Sequence, residues 1–281
     1  MFGLINVGQP LYFQIKKYRM KKIVCLLAGV FACFQLFSQG VDFKSVSLKE
    51  ALEQAKTQGK MVFVDCYTTW CGPCKMMTEQ VFSQKEAGDF FNTHFVNVKF
   101  DMEKGEGKEL STRFKIRAYP TFLLLEPDGT ERYRIVGGGD LEEFIGRVSR
   151  GLQEKNSLPV LEKEFKTGKM SKRRMLDLVM TLQDAYDGDR LKIVAEELVK
   201  RLTFNEKVST PYWVIYEDNS LSPLTSDNFS FLLKNKDAFE KNVGETKVNQ
   251  KIASAYSGML YSYVAGFAKK EDMARLDVMK Q

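Results

Sequence analysis

Trp70-Cys71-Gly72-Pro73-Cys74-Lys75 is the stretch whose reading decides the fold. Two cysteines separated by two residues can close into a small disulfide ring and open again, and the intervening Gly72-Pro73 sets how readily that happens. The apolar run Met61-Val62-Phe63-Val64 precedes the pair, and a helix-compatible stretch from Lys75 to Phe82 follows it. The pair is therefore expected where a strand hands over to a helix. There the unpaired N–H groups and the positive dipole end of the helix stabilise a thiolate. Zinc sites use the same C-x-x-C spacing but need four ligands. Beyond the leader considered below, the chain offers only Cys66, Cys71, Cys74 and the lone His94, so no metal and no cofactor is expected.

Working outward, Ser47-Leu48-Lys49-Glu50 forms a capping box, and Leu48, Ala51, Leu52 and Ala55 then share one helical face that ends at Gly59. Met61 to Cys66 reads as a strand buried on both faces. Cys71 to Phe82 and Gln84 to Phe91 read as helices, Phe95 to Asp101 as a strand and Lys108 to Phe114 as a helix. Thr121 to Leu125 is an apolar strand, and Pro127-Asp128-Gly129 turns it into a partner over Glu131 to Val136. Asp140 caps a last helix facing inward through Leu141, Phe144, Ile145 and Val148. This order predicts a central mixed sheet covered by helices on both faces.

At Lys155 to Pro159 the character changes. Helical faces follow: Met175, Leu176, Val179 and Leu182; then Leu191, Val194, Leu198 and Leu202; then Ile252, Tyr256, Met259, Leu260 and Tyr263. Tyr212 to Tyr216 fits a strand as well as a helix, and no fixed repeat appears. The expected fold class is thus α/β, followed by a mainly α-helical domain. The divisions fall at residues 1–38 (a leader), 39–153 (the sheet domain) and 154–281 (helices of unassigned role).

Lys16, Lys17, Arg19, Lys21 and Lys22 precede a nearly unbroken apolar stretch from Ile23 to Phe37, and Ser38-Gln39-Gly40 follows. That is the order of a secretory signal, with Met20 a better start than Met1 and cleavage expected near Ser38–Gln39. The apolar stretch falls short of the roughly 20 residues that span a bilayer; an uncleaved anchor over residues 23–37 is the alternative. Cys33 fits a lipid-attachment site poorly because of Phe31. The formal charge of +6 falls to about +1 without those five cations, which argues against a nucleic-acid partner. Cys25 and Cys33 leave with the leader, and the three remaining cysteines are too few to staple a scaffold.

Val64-Asp65-Cys66-Tyr67-Thr68-Thr69-Trp70-Cys71-Gly72-Pro73-Cys74-Lys75 closely resembles the active-site strand and helix of thioredoxins. Ile116-Arg117-Ala118-Tyr119-Pro120-Thr121 resembles the family's cis-proline segment, and Val136-Gly137-Gly138 its glycine turn beside the substrate groove. Val81-Phe82-Ser83 is similar to thioredoxin-like domains of secreted and membrane-tethered thiol reductases. The resemblance covers about residues 43–152. Three features depart from it: a poorly marked first strand, Cys66 in place of an apolar or aromatic residue, and Asn97 where thioredoxins often place a lysine near a buried carboxylate.

The resemblance implies thiol–disulfide exchange through Cys71 and Cys74. Cys71, exposed, attacks a substrate disulfide, and Cys74, shielded one turn inside, then resolves the mixed disulfide. Asp65 lies in an apolar run where an unpaired carboxylate is expensive, and a raised pKa there suits it to take the Cys74 proton. Trp70, Gly72, Pro73, Tyr119, Pro120 and Gly137 are the expected substrate-binding residues. Cys66 faces away from Asp65 on the strand and reads as a small buried hydrophobe. His94 reads as a helix-end residue, and Lys75 and Lys172-Arg173-Arg174 as solvated faces. The Gly-Pro dipeptide resembles that of reducing thioredoxins more than that of strong oxidants, which implies reduction or isomerisation of disulfides. Expected partners are disulfide-containing proteins and a membrane-embedded electron donor; the alternative is a polypeptide-binding or folding module with little redox turnover.

Overall fold

The computed structural model describes residues 40–267. The leader, its cleavage point, the alternative anchor, Cys25 and Cys33 lie outside the described residues. Among those described, no helix is long and apolar enough to cross a membrane.

A short β1 (Phe43–Lys44) enters the sheet, and α1 (Leu48–Gln58) follows. Both halves of the Ser47/Glu50 capping box form, and Gly59 ends α1 at φ 64°. β2 (Met61–Tyr67) runs parallel to β3 (Phe95–Asp101) on one side and antiparallel to β4 (Thr121–Leu125) on the other. β4 turns into the antiparallel β5 (Glu131–Val136), giving the order β1-β3-β2-β4-β5. β2 is thus central, which is why its sequence is apolar on both faces.

Between β2 and β3 lie α2 (Gly72–Met76), a π-helical turn over Met77–Val81, and α3 (Lys85–His94). The helix expected from Cys71 to Phe82 is therefore not uniform: Phe82 N–H reaches back five residues to Met77 O at 2.8 Å. α4 (Gly107–Arg113) connects β3 to β4, and α5 (Leu141–Leu152), capped by Asp140, closes the unit. One side of the sheet buries Phe63, Phe91, Phe122 and Phe144, with ring centroids 4.7 Å apart in the Phe63–Phe91 and Phe122–Phe144 pairs. The other side buries Val62, Val64, Cys66 and Leu123 against α1 and α4. The period-2 alternation of β2 and β4 divides these sets between the faces.

The remaining helices are α6 (Leu158–Lys166), α7 (Lys172–Asp184), α8 (Gly188–Arg201), α9 (Phe204–Lys207), α10 (Trp213–Glu217), α11 (Asp227–Lys234), α12 (Lys236–Val243) and α13 (Glu245–Val264). They share a separate apolar core that includes Met175, Val179, Leu198, Tyr216 and Phe239. The ambiguous Tyr212–Tyr216 run is helical, with Trp213, Ile215 and Tyr216 buried. The Lys172–Arg174 run is not simply solvated. Arg174 sits between Glu164 and Asp177, and Lys172 pairs with Glu206; only Arg173 is largely exposed.

A buried polar knot ties α7 to the sheet. Asp184, at the end of α7 and only 4% exposed, accepts from the Tyr133 hydroxyl at 2.7 Å, Arg147 Nε at 2.7 Å and Arg150 Nη2 at 2.9 Å. Burial, then the Asp184 carboxylate, pushes the Tyr133 phenol pKa up, so it remains a donor.

Candidate active site

Cys71 is the N-cap of α2, and its Sγ accepts the Cys74 N–H at 3.1 Å. Pro73 fits in the first turn because its missing N–H would have had no helical partner there. Cys71 and Cys74 are joined, with an S–S distance of 2.03 Å and Cα atoms 5.3 Å apart. Cys71 was expected to be exposed. It is 3% exposed, against 4% for Cys74, because its sulfur folds back over the first helical turn onto the Cys74 sulfur and N–H.

Three segments are linked in a chain that starts at Trp70, the residue before Cys71. Trp70 is 65% exposed, donates from Nε1 to Glu103 Oε1 at 3.0 Å and meets the Tyr119 ring edge-on at 5.9 Å. The Tyr119–Pro120 bond is cis, and Pro120 O accepts the Gly137 N–H at 2.9 Å. Gly137 adopts φ 81°, and a Cβ on Gly138 would lie 2.7 Å from Met77 Sδ. A larger residue there would displace the Met77 side chain in the turn after α2. Arg147 holds the same loop from behind, donating to Val136 O at 2.9 Å and Gly138 O at 3.3 Å. Glu103 and Arg147 escaped the sequence reading because both lie in ordinary polar surroundings with no local motif.

Asp65 is 3% exposed, and burial pushes its carboxyl up to about 7, with Lys99 pulling the other way. A cavity of about 260 Å³ is lined by Asp65, Cys74, Thr78 and Lys99. A lysine does stand near the buried carboxyl, at Lys99, two residues beyond Asn97. The parallel register sets Asp65 opposite Lys99 and Phe63 opposite Asn97, so the acid's partner is two residues further along the same face. Cys66 packs on the opposite side of β2, and burial, reinforced by the Asp65 charge, pushes its thiol pKa well up. His94 ends α3 with Nδ1 2.8 Å from Phe90 O, a helix-end position.

The Asp65 environment makes a prediction about stability. Its folded pKa is raised, so the folded state holds a proton that the unfolded chain has lost, and stability falls as pH rises from about 4 to about 7. Asp65→Asn is expected to stabilise the protein by about 4 kcal/mol at pH 8, with the gain vanishing below about pH 4. Denaturant titrations at both pH values check this; an equal effect at the two would refute the buried-acid account.

A thioredoxin-like domain model matches residues 48–150. Thioredoxin-1 of Drosophila melanogaster is 41% identical over 91 residues, 32% of this chain and 78% of that protein. The thiol:disulfide interchange protein DsbD of Pseudomonas fluorescens is 34% identical over 103 residues, 36% of this chain but only 18% of that protein. The solution structure of a putative disulphide-isomerase from Bacteroides thetaiotaomicron is 45% identical and covers 42% of this chain and 97% of that one, with a TM-score of 0.39. The chain belongs to the thioredoxin-like family.

Proposed function

We propose that the protein is an exported thiol–disulfide oxidoreductase that reduces or isomerises disulfides in other proteins. The observation that carries this reading is the Cys71–Cys74 pair at a helix start, with a buried carboxyl of raised pKa sharing a cavity with Cys74. The Cys71 thiolate attacks one sulfur of a substrate disulfide; an S–S bond forms to Cys71, and the other substrate sulfur leaves as a thiolate. Asp65 takes the Cys74 proton across the shared cavity. The Cys74 thiolate then attacks Cys71 Sγ, closing the Cys71–Cys74 disulfide and releasing the second substrate sulfur. Two electrons pass to the substrate.

Trp70, Gly72, Pro73, Tyr119, Pro120 and Gly137 form the walls against which the substrate backbone lies. The basic-then-apolar leader supports export to the periplasm. A reductase in an oxidising compartment needs recharging, and a membrane-embedded dithiol donor fits that need. The helices from about residue 154 are read as a second unit that selects partners.

Cys74→Ser tests the reading, because it removes the resolving thiol and leaves the attacking one. Incubated with reduced-and-reoxidised insulin or a native envelope extract, it is expected to accumulate mixed disulfides through Cys71 that dissolve in dithiothreitol. Failure to trap any, with the wild type also unable to reduce insulin, sinks the proposal.

A further inference from the structure

A second cavity, about 680 Å³, opens where the sheet unit meets the helices. Its floor is the edge strand β5, one wall is the α4–β4 loop, and the other is the turn between α7 and α8. Ala118 and Thr121 line it, so it begins where the Tyr119–Pro120 segment of the active site ends. The Asp184 knot with Tyr133, Arg147 and Arg150 ties the α7–α8 wall to the β5 floor, so the cleft is a built feature and not a gap between loose units.

Two side chains in this cleft are held in a conformation that ordinarily belongs to glycine. α4 and α7 both end in the same C-terminal motif: Lys115 N–H bonds Thr112 O and Ile116 N–H bonds Ser111 O; Tyr186 N–H bonds Gln183 O and Asp187 N–H bonds Leu182 O. The left-handed residue is Lys115 at φ 51° in one and Tyr186 at φ 55° in the other. Where α1 ends, that place is taken by Gly59. An L side chain resists this backbone, yet both occurrences, from separate parts of the chain, line one cleft. Tyr186 is 81% exposed, so packing does not account for it.

The cleft is also cationic. Five cations line it against three carboxylates. Arg132, Arg134 and Arg190 are already paired with Glu126, Glu131 and Asp187, which leaves Lys115 and Arg117 without an ion-pair partner among the described residues, against the single carboxylate of Asp189. We propose that this cleft binds an acidic, extended flank of the polypeptide whose disulfide reaches Cys71. Lys115 and Arg117 take its carboxylates, and Tyr186 packs on its backbone. This rests on the proposed oxidoreductase activity and names the substrate class for it.

The test uses the mature full-length protein and two synthetic peptide disulfides, identical except for four glutamates or four glutamines beside the cysteine. At low salt the wild type is expected to show a KM roughly tenfold lower for the glutamate peptide, and the gap should close at 1 M salt. Lys115→Glu with Arg117→Glu should abolish the preference with kcat on the glutamine peptide unchanged. Lys115→Gly should raise KM severalfold for the glutamate peptide alone, and Tyr186→Gly should raise it for both peptides, each variant melting no lower than the wild type, since glycine suits the backbone. Equal KM values for the two peptides, a Lys115→Gly variant that keeps the full preference, or a Tyr186→Gly variant with both KM values unchanged overturns the proposal. A wild type that turns over neither peptide refutes the underlying activity instead.

Discussion

Cys71→Ala is expected to reduce insulin turnover to background, and Cys74→Ala to do nearly the same, while Cys66→Ala keeps most of it. The three thiols lie within nine residues of one another in sequence, so the contrast is a demanding one. Cys71 caps α2 and is bonded to Cys74, directly after Trp70, whose ring meets Tyr119. Cys66 is on the other face of β2, packed with Val62, Val64 and Leu123, and burial keeps its thiol protonated. A protonated, fully buried thiol neither attacks nor leaves. Its replacement removes a small hydrophobe and is expected to cost about 1 kcal/mol of stability. Assaying insulin precipitation beside a circular dichroism melt separates the two effects. A folded Cys66→Ala protein with turnover as low as Cys71→Ala would make Cys66 a redox participant.

Much of the sheet unit was legible because local signals there agree with tertiary structure. The Ser47/Glu50 box, the Asp140 cap and the apolar runs of β2 and β4 each point to the element that forms. β1 was faint because it is only two residues long and takes its place from pairing with Asn97 and Val98. The π-helical turn after α2 has no local signature; it coincides with the close packing of Gly138 on Met77. Register was the part of the site least legible. A strand repeats its facing every two residues, so Asn97 and Lys99 share a face, and sequence spacing alone did not show which one stands opposite Asp65. The Tyr119–Pro120 and Gly137 segments were found by resemblance, whereas Glu103 and Arg147 act through contacts distant in sequence.

The helices were harder, for a physical reason. An amphipathic face announces that it is buried but not against what, and a single aspartate at a helix end reads as solvated. Asp184 is such a residue, yet it gathers a tyrosine and two arginines from β5 and α5. Asp184→Ala is therefore expected to destabilise the full-length protein by about 4 kcal/mol, because it leaves two half-buried guanidinium groups without their counter-charge and the buried Tyr133 hydroxyl without its acceptor. That corresponds to a fall in Tm of roughly 10 °C for a chain of this size. Asp184→Asn, which keeps an oxygen acceptor but loses the charge, should fall between the two. Turnover of a small neutral disulfide should stay close to wild type below the melt, since Cys71, Cys74 and Asp65 sit on β2 and α2, away from the knot. A chain ended at Gln153 should behave like Asp184→Ala and worse: it keeps every proposed redox residue but strands Tyr133, Arg147 and Arg150 together. Arg147 also steadies Val136 and Gly138, so either change should loosen the glycine loop and raise KM for a protein substrate more than for the small disulfide. Melting curves run beside both assays decide the matter. If Asp184→Ala melts with the wild type, the knot contributes nothing to the junction, and the helices must be held to the sheet by apolar contact alone.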